Sequence, residues 1–480
     1  MASREMQPHK RTKIVATIGP ASRDVAIMRS LLNSGANVLR LNFSHGTPKD
    51  HGAVIKQARE LSQELGRFVA VLQDLPGPKI RTGALAGNAP SVLLEHGQTF
   101  TLTTDAVAGT AERVSVSYQA LPSDVAVGKR IYLQDGAITL RIVDKNATEI
   151  VTTVEFGGEL RPVQGINYPD GSLNLTAPTP RDMEHLAFGV EHNVDYVALS
   201  FVRSAEDIRK VKTFIAERKR DIPVLAKIEK HEALDDIDAI VAEADGIMVA
   251  RGDLGIEMPL QAVPMIQKDL IARCNRAGKP VITATQMLES MISSSRPTRA
   301  EATDVANAIL DGTDALMLSG ETARGAYPVD AVRTMTEIAQ EVERTYPHGL
   351  LHDRALQGLE RSIARSIAEA ATRASDELDM PYIVTGTTTG HTAHHIAAFR
   401  PRARIVALTP NEHVARRLAL LWGTESLLIE HYDTFDALLA IAEERMRSEG
   451  YVKSGDRIAF TTGMPVGAGR TNLLKIHQIP

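Results

Sequence analysis

Cysteine is almost absent from this chain of 480 residues. Cys274 is the only one, so no disulfide can form within the chain, which is typical of proteins that stay in a reducing compartment. Long hydrophobic runs are also missing. No stretch could span a membrane, and the N-terminus lacks an apolar segment of signal-peptide length. We therefore expect a soluble cytoplasmic protein without a membrane partner.

An excess of positive charge is absent as well. Lysine and arginine number 54 against 59 acidic residues, a formal net charge of −5, which argues against a nucleic-acid partner. Any anion site must therefore use locally clustered cations. The hydrophobic fraction of 43% and charged fraction of 24% are those of a globular protein. The length favours two to four domains over a single core.

Short apolar runs of strand type alternate with amphipathic segments along most of the chain. Eight runs each precede a helical segment, as a closed (β/α)8 barrel (TIM barrel) requires. A doubly wound open sheet is the alternative, but the count of eight favours closure. The runs are KIVATI from Lys13, NVLRLN from Asn37, FVAVLQ from Phe68, DYVALS from Asp195, PVLAKI from Pro223, DGIMVA from Asp245, PVITAT from Pro280 and DALMLS from Asp314.

The helical segments between these runs follow the 3.6-residue period. The expected helices are 24–34, 50–65, 181–192, 205–218, 231–243, 262–277, 299–310 and 329–344.

Two parts of the chain depart from this alternation. Residues 82 to 178 carry Gly and Pro punctuation and alternating segments, with a hairpin signal at Gln134–Gly136. This predicts a small all-β insertion after the third barrel strand. From about Leu351 the βα alternation resumes and predicts an open α/β sheet in a separate domain. The predicted domains are the barrel at 1–80 and 177–350, the inserted β domain at 81–176 and the C-terminal domain at 351–480.

Polar side chains gather at the C-terminal ends of the predicted barrel strands, where barrels of this type carry their chemistry. Lys227 and Glu229 lie two residues apart at the end of the fifth strand, so their side chains project from the same face. Burying either charge alone would be costly, so both need a partner. The other strand-end residues are Arg40, Asn42, Ser44, His45, Asp74, Arg251, Asp253, Thr285, Gln286, Ser319 and Glu321.

Glu229 and Asp253 are candidate ligands of a divalent metal. Each alone would more often form a salt bridge or cap a helix, but neighbouring barrel strands bring the two carboxylates together. Two carboxylates that leave room for water and substrate suit Mg²⁺ or Mn²⁺. Lys227 could form a Schiff base. A metal carboxylate two residues away favours instead an ammonium that stabilises anionic oxygens.

The remaining candidates would bind an anionic substrate. Gly252 allows close approach of the backbone, and the N–H groups near Asp253 could point at a carboxylate, although a plain turn fits these residues equally well. Arg40 and Arg81 offer forked donors suited to phosphate. This set is suited to phosphoryl transfer or enolate chemistry on a small anionic acid.

Hydroxyl and carboxyl groups on the last two strands could move a proton. Thr285, Ser319 and Glu321 could form such a relay, and ordinary hydrogen-bonded side chains are the competing interpretation.

An ordered series of motifs resembles the pyruvate kinase family nearly from end to end. The series consists of RTKIVATIGP from Arg11, NVLRLNFSHG from Asn37, GPKIRTG from Gly77, AKIE from Ala226, ARGDLGIE from Ala250, TATQMLESM from Thr283, RPTRAEATDVANAILDGTDALMLSGETA from Arg296 and FRPRARIVALT from Phe399.

The resemblance implies transfer of phosphate from phosphoenolpyruvate to ADP, giving ATP and pyruvate, as the last step of glycolysis. By that likeness, Lys227 would stabilise the phosphoryl group in flight, and Glu229 and Asp253 would hold Mg²⁺ or Mn²⁺. Protonation of the enol would run through water near Thr285, with Ser319 and Glu321 behind it. The family's substrate-binding positions correspond to Arg40, Arg251, Gly252, Asp253 and Thr285, and its nucleotide-binding positions to Asn42, Phe43, Ser44, His45 and Arg81.

The inserted β domain resembles the family's lid, which would close over the nucleotide and exclude water. The family often has a lysine at the position of Gln164 in QGINYPDG, so a cationic grip on the nucleotide from there is in doubt.

Many members of the family require K⁺ as well as a divalent ion. The matching cage here is Asn42, Ser44, Asp74 and the Leu75 carbonyl. Those members carry a glutamate where this chain has Lys79. A tethered ammonium repels a second cation in a poorly screened site. We therefore predict that K⁺ is dispensable and that Lys79 stands in for it, against the alternative of a surface lysine.

The resemblance also implies a sugar-phosphate effector and a homotetramer. The stretch TGTTTGHT follows a predicted strand and opens a helix, so its amides and hydroxyls could hold a phosphate. An ordinary β–α turn is the alternative. The effector candidates are Thr385, Thr387, Thr388, Thr389 and Gly390.

Two other functions remain open from the sequence. A metal-dependent lyase or aldolase could make pyruvate enolate on the same barrel, but it gives no reason for the lid or for Arg81. A non-catalytic metabolite-binding protein is the second, and the presence of Lys227, Glu229, Asp253 and Thr285 argues against it.

Overall fold

The computed structural model describes residues 10–349, 362–464 and 470–480. Its first part supplies three strands and two helices of a barrel, and each strand is nearly or completely buried. The helix α2 begins with a capping box in which Thr47 and Asp50 satisfy each other's N–H groups. The elements are β1 (Lys13–Thr17), α1 (Val25–Asn33), β2 (Val38–Asn42), α2 (Pro48–Glu64) and β3 (Ala70–Asp74).

An all-β insertion follows β3. Its elements are β4 (Ile80–Arg81), β5 (Val92–Leu94), β6 (Thr99–Thr103), β7 (Arg113–Ser115), α3 (Leu121–Asp124), β8 (Arg130–Leu133), β9 (Ile138–Lys145), β10 (Glu149–Phe156), β11 (Gly158–Leu160) and β12 (Gly165–Asn167). Seven strands form one sheet in the order β4-β12-β8-β9-β10-β6-β7, and β5 pairs with β11. A bridge between Thr82 and Val116 joins the extensions of the two edge strands. The predicted hairpin is confirmed, since β8 and β9 pair antiparallel across Gln134–Gly136.

The barrel resumes after the insertion. Its strands are β13 (Tyr196–Leu199), β14 (Val224–Ile228), β15 (Gly246–Ala250), β16 (Val281–Ala284) and β17 (Ala315–Leu318). Its helices are α4 (Pro180–Glu191), α5 (Ala205–Glu217), α6 (Glu232–Asp235), α7 (Ile237–Glu243), α8 (Arg251–Glu257), α9 (Val263–Ala277), α10 (Arg299–Asp311), α11 (Gly320–Ala323) and α12 (Pro328–Arg344). The eight parallel strands close in the order β1-β17-β16-β15-β14-β13-β3-β2, so the predicted barrel is confirmed.

One predicted helix is wrong in detail. The segment 231–243 is not continuous but divides into α6 and α7 at Asp236. The carboxylate of Asp236 accepts a hydrogen bond from the N–H of Ala205 at 3.0 Å, at the start of α5. The break therefore lies where Asp236 satisfies a donor of the preceding helix.

The C-terminal domain is an open α/β sheet, as predicted. Its elements are α13 (Ile363–Glu377), β18 (Tyr382–Gly386), α14 (His391–Ala398), β19 (Arg404–Thr409), α15 (Glu412–Arg417), β20 (Thr424–Leu428), α16 (Phe435–Ser448), β21 (Arg457–Thr462) and β22 (Leu473–Gln478). The sheet order is β20-β19-β18-β21-β22. The antiparallel edge strand β22 was not predicted. The boundary predicted between residues 350 and 351 lies outside the described residues.

Hydrophobic packing follows the three units. The barrel interior contains Val15, Leu72 and Met248, and a larger cluster lies between the barrel and its helices. The insertion and the C-terminal sheet have clusters of their own. In the described ranges, no helix combines the length and the apolar character needed to cross a bilayer.

Candidate active site

Lys227 is the centre of a buried polar cluster at the C-terminal end of the barrel. It is the fourth residue of β14 and only 8% exposed. Its Nζ lies 3.1 Å from Asp74 Oδ1, 3.0 Å from Glu229 Oε1 and 2.6 Å from Ser200 Oγ. Burial alone would lower the pKa of Lys227, but the two carboxylates outweigh it and raise that pKa. The carboxylates therefore favour the charged ammonium over the neutral amine that Schiff-base chemistry needs.

Asp74 joins Lys227 to Arg40. The Nε of Arg40 lies 2.6 Å from Asp74 Oδ2, and its Nη1 donates to Thr17 Oγ1 at 2.9 Å. Burial would raise the pKa of Asp74, but Arg40 and Lys227 lower it below its usual value. The carboxylate thus stays ionised and aligns the cations of β2 and β14, an arrangement that suits phosphate binding.

Glu229 lies directly after β14 and is 1% exposed. Its Oε2 accepts a hydrogen bond from the N–H of Phe201 at 2.7 Å. Burial raises the pKa of Glu229; Lys227 opposes that shift and the charge of Asp253 reinforces it. Two carboxylates therefore face each other closely enough to repel, and a divalent cation between them would remove this cost.

The donor set fits a hard divalent cation. Within the described residues, no group of three or more His, Cys, Asp or Glu side chains could hold a metal. Glu229 and Asp253 would therefore supply two oxygen ligands and leave other positions to water and substrate, which is the mode that Mg²⁺ prefers.

Lys79 forms its ion pairs with aspartates outside the predicted monovalent cage. Its Nζ is 3.4 Å from Asp253 Oδ1 and 3.9 Å from Asp135 Oδ1 in the hairpin turn of the insertion. No hydrogen bond or ion pair between described residues joins it to Asn42, Ser44, Asp74 or Leu75. Its ammonium therefore neutralises a candidate metal ligand, and its place in the monovalent cage stays a prediction.

The four cage residues are largely engaged with one another and with their neighbours. The Leu75 carbonyl accepts from Ser200 Oγ at 2.7 Å. Asn42 Oδ1 accepts from the N–H of Ser44 at 3.1 Å. Both oxygens of Asp74 are bound by Arg40 and Lys227. The geometry thus shows two protein cations at Asp74.

Thr285 and Gly252 meet at the rim. Thr285 has a φ of +75°, a left-handed conformation that costs energy for a β-branched residue. A Cβ on Gly252 would lie 2.7 Å from Thr285 Cγ2. Gly252 is therefore required by the close approach of Thr285. It also lies in the first turn of α8, where N–H groups have no partner within the helix.

Arg251 supports the backbone of Thr285. Its Nη2 donates to the Thr285 carbonyl at 2.8 Å, and its Nε donates to the Ala284 carbonyl at 3.2 Å. Asp304 completes the arrangement with an oxygen 2.7 Å from the guanidinium. These donors hold the strained backbone of Thr285 in place, and the substrate contact of Arg251 stays a prediction.

Glu321 is likewise bound to backbone. It is completely buried, its Oε1 accepts from the N–H of Leu288 at 3.1 Å, and its Oε2 accepts from the N–H of Ser319 at 2.7 Å. The carboxylate therefore ties the loop after Thr285 to the start of α11. In the described residues, neither Glu321 nor the Ser319 hydroxyl has a hydrogen bond to Thr285.

The predicted nucleotide residues separate into two groups. Phe43 is 3% exposed and stacks on His51 with ring centroids 4.1 Å apart, so it packs in the core. His45 has a pKa lowered first by burial and then by Arg81 and Arg40, which shows that these cations converge on it. Arg81 starts the insertion and donates to the Val163 carbonyl at 3.3 Å.

Gln164 is uncharged, and its hydrogen bonds lie within the insertion. Its side-chain amide donates to the Pro162 carbonyl at 2.9 Å, and its backbone N–H to Thr82 Oγ1 at 2.8 Å.

The predicted effector turn lies at the end of β18, remote in the fold from Lys227. Thr387 Oγ1 accepts from the N–H of Gly390 at 2.9 Å, and Thr389 Oγ1 from the N–H of His391 at 3.4 Å. The Thr388 carbonyl accepts from Asn411. Thr385 Oγ1 is buried, and no partner is found for it within the described residues. The turn is thus partly closed by its own hydroxyls.

Two residues of the cluster were missed by the sequence reasoning. Ser200 contacts Lys227 and Leu75, and Thr17 accepts from Arg40. Both follow or end barrel strands, β13 and β1. The strand-end rule would have found them if it had been applied to all eight strands.

Comparisons with known proteins identify the family of this chain. Residues 9–332 match a family model described as "Pyruvate kinase, barrel domain", and residues 365–477 match "Pyruvate kinase, alpha/beta domain". The chain belongs to the pyruvate kinase family. It is similar to the pyruvate kinase of Geobacillus stearothermophilus, with 46% identity over 98% of this chain and 80% of that protein.

Two further relatives are comparably similar. The pyruvate kinase of Bacillus licheniformis is 45% identical over 98% of this chain and 80% of its own. Pyruvate kinase 2 of Synechocystis sp. is 44% identical over 98% of this chain and 79% of its own. The similarity therefore extends over all three units of the fold.

Proposed function

We propose that this chain is a working pyruvate kinase that moves the phosphoryl group of phosphoenolpyruvate to ADP, giving ATP and pyruvate. The observation that carries the proposal is the ammonium of Lys227, held charged between Asp74, Ser200 and Glu229 on the barrel rim. A fixed cation at this place stabilises charge on a phosphoryl group in flight without reorganisation.

Arg40 would bind the phosphate beside Lys227. Asp74 fixes both cations 2.6 Å and 3.1 Å from its two oxygens. The carboxylate of Asp74 therefore sets the distance between Arg40 and Lys227. Two cations held in fixed positions would keep the phosphoryl group aligned for in-line transfer.

Glu229 and Asp253 would hold Mg²⁺ or Mn²⁺. The bound ion would neutralise charge on the carboxylate and phosphate oxygens of the substrate. Before it binds, Lys79 lies near Asp253 Oδ1 and partly compensates that carboxylate.

Thr285 and the first-turn N–H groups of Gly252 and Asp253 would orient the acid. Thr285 would also place the water that protonates the enol, because its strained backbone is fixed by Arg251. Ser319 and Glu321 would act by shaping this loop, since the carboxylate of Glu321 is occupied by two backbone N–H groups.

The insertion would close over the nucleotide, near Asn42, Ser44, His45 and Arg81. Asp135 of its hairpin already faces Lys79 across 3.9 Å. Closure would exclude water, which would otherwise accept the phosphoryl group.

Turnover without K⁺ is expected from Lys79. Its positive charge lies beside Asp253, and it would lower the benefit of a further cation at the rim. Turnover in K⁺-free buffer, with tetramethylammonium holding the ionic strength, tests this. More than about tenfold stimulation by K⁺, or a Lys79→Glu variant that needs no K⁺, would contradict it.

The turn from Thr385 to Gly390 is retained as the site of a sugar-phosphate effector, in a homotetramer. Its buried and unpartnered Thr385 Oγ1 supports a polar ligand. Alanine at Thr387, Thr388 and Thr389 should abolish activation by whichever sugar phosphate activates the wild type. Sedimentation velocity should give the mass of four chains.

The decisive experiment compares phosphoenolpyruvate with and without ADP. Pyruvate should form only when ADP and Mg²⁺ are both present, with ATP in equal amount. Pyruvate formed without ADP would support the lyase alternative instead. A Lys227→Met variant with unchanged turnover would support a protein in which this site is not catalytic.

A further inference from the structure

A large cavity lies at the other end of the barrel, between the N-terminal ends of its strands and the C-terminal domain. Its volume is about 860 Å³. One wall consists of barrel segments at 62–68, 192–195 and 219–222, and the other of C-terminal segments at 412–417, 426–428 and 445–449. Cavities of this size hold small metabolites. None of the residues assigned above to catalysis or to the effector turn lines it.

Positive charge predominates in this interdomain cavity. Seven lysines and arginines line it against four carboxylates, although the chain as a whole has a net charge of −5. The cations are Arg59, Arg67, Lys219, Arg220, Arg416, Arg417 and Arg445, and the anions are Asp195, Asp221, Glu412 and Glu449.

Every carboxylate of the cavity already has an arginine. Asp195 lies 2.8 Å from Arg59 and 2.7 Å from Arg416. Arg416 also contacts Glu412 at 2.8 Å. The other two pairs are Arg417 with Asp221 at 2.9 Å and Arg445 with Glu449 at 3.0 Å. Lys219 and Arg220 therefore face a cavity whose carboxylates are all bound by other cations.

Lys219 and Arg220 are the clearest part of that excess. Neither side chain forms an ion pair or hydrogen bond with any described residue. The Nε atoms of Arg417 and Arg445 are buried and also lack a partner among the described residues. Buried donors without acceptors are uncommon and indicate a missing ligand or water.

His413, one of the two histidines that line the cavity, has a pKa consistent with this positive charge. Burial lowers the pKa of His413, and Arg417 and Arg416 lower it further, with weaker opposition from Asp221 and Asp195. His413 is therefore neutral at physiological pH, and the surrounding guanidinium groups dominate the local potential.

We propose that this interdomain cavity binds a small metabolite bearing at least two phosphate groups, with Lys219, Arg220 and Arg417 as its main contacts. Arginine favours phosphate because its forked donors match phosphate oxygens. The ligand would bridge the barrel and the C-terminal domain, so its binding would stabilise their contact.

Inorganic pyrophosphate is a suitable first probe, in Mg²⁺-free buffer with EDTA. Trp422 is the only tryptophan of the chain, fully buried, and it follows Arg417 by five residues. Its fluorescence should change as pyrophosphate binds. Isothermal titration should give the same dissociation constant. Failure of the wild type to bind at 10 mM, roughly the upper end of useful metabolite affinity, would overturn the proposal.

A double variant, Lys219→Gln with Arg220→Gln, removes two unpaired exposed cations and should fold normally. We expect its dissociation constant to rise about tenfold or more, because each charge-assisted contact is strong. The control is Lys453→Gln with Arg457→Gln, which removes the same two residue types from an exposed part of the C-terminal domain. An equal loss in both double variants, or none in the first, would contradict the assignment.

Two further measurements separate alternative explanations. Citrate carries similar charge without phosphate, so citrate binding as tight as that of pyrophosphate would refute the phosphate class. Pyrophosphate bound at Arg40 and Lys227 would compete with phosphoenolpyruvate. Competition that is unchanged in the Lys219→Gln, Arg220→Gln variant therefore reports binding at the candidate active site and not in the cavity. A fluorescence change that survives in this variant would contradict the cavity site.

Discussion

The two ends of the barrel differ in how far their carboxylates bind the backbone. At the N-terminal end, Asp195, Asp245 and Asp314 each precede a strand, and each accepts a hydrogen bond from a backbone N–H near the start of a neighbouring strand. The distance from the backbone nitrogen to the carboxylate oxygen is 2.7 Å for Val71 and Asp195, 2.8 Å for Val224 and Asp245, and 3.0 Å for Val281 and Asp314. These aspartates close the barrel and face the C-terminal domain.

Each of these three aspartates also pairs with an arginine or a lysine, whereas at the C-terminal end side-chain cations are the main partners of the carboxylates. Asp74 is bound by Arg40 and Lys227, and Glu229 by Lys227 and one backbone N–H. Asp253 remains partly exposed beside Lys79. A backbone partner cannot leave, whereas a flexible ammonium can turn to a ligand. The difference in partner therefore separates a structural end from a reactive end.

The largest effect is expected from Lys227→Met. It removes the cation that faces the transferred group, so turnover should fall about 10³-fold or more. A coupled assay for pyruvate measures this, and circular dichroism confirms folding. Retention of more than a tenth of wild-type activity would mean that the C-terminal end does not depend on its central ammonium.

Arg400→Leu tests the structural end. Arg400 is 1% exposed and lies 3.0 Å from Asp314, with further bonds to Asn275 and the Gly312 carbonyl. Breaking a buried pair costs about 3–5 kcal/mol of unfolding free energy. Urea unfolding should show this loss, while KM for phosphoenolpyruvate of the folded enzyme stays near normal. If Arg400→Leu raised KM for phosphoenolpyruvate and left the unfolding free energy unchanged, the N-terminal end of the barrel could not be called the structural end.

Glu229→Gln should raise the Mg²⁺ concentration for half activation by at least about tenfold, because an amide is a poorer ligand for a hard cation. The matched control is Asp245→Asn at the opposite end, which should change stability but not the Mg²⁺ dependence. An identical Mg²⁺ titration for Glu229→Gln and wild type would remove Glu229 from the metal site.

The smallest effect is a pH dependence in the C-terminal domain. Burial, then His391, Arg365 and His394, lower the pKa of His395 to about 4. Because the folded state resists protonation that the unfolded chain accepts near pH 6.5, the stability contributed by His395 falls as pH decreases through this range. The loss between pH 7 and 6 should be below about 1 kcal/mol.

His395→Gln should flatten that slope in thermal unfolding, because glutamine does not titrate. The control His431→Gln changes an exposed histidine and should leave the slope as it is. A slope that is equally steep in His395→Gln would show that other groups set it.

The eight barrel strands could be read from the sequence because each is a short apolar run bounded by polar residues. Buried parallel strands leave that pattern whatever their neighbours are. The strand-end rule then indicated Arg40, Asp74, Lys227, Glu229 and Asp253 before any coordinates, since parallel strands deliver their C-terminal ends to one face. The strand β22 was not predicted, because it is a partly exposed edge strand with a weak apolar pattern.

Only the tertiary structure decided which partner each charged side chain takes. Arg251 was expected at the substrate but holds Thr285, and Glu321 was expected in a proton path but binds two backbone N–H groups. Lys79 was expected to replace a bound cation, and the structure adds that its ammonium pairs with Asp253. A sequence pattern fixes the strand and the face of a residue. The direction of a long side chain depends on which of several nearby partners is closest in space, and that depends on loops and on the packing of separate domains.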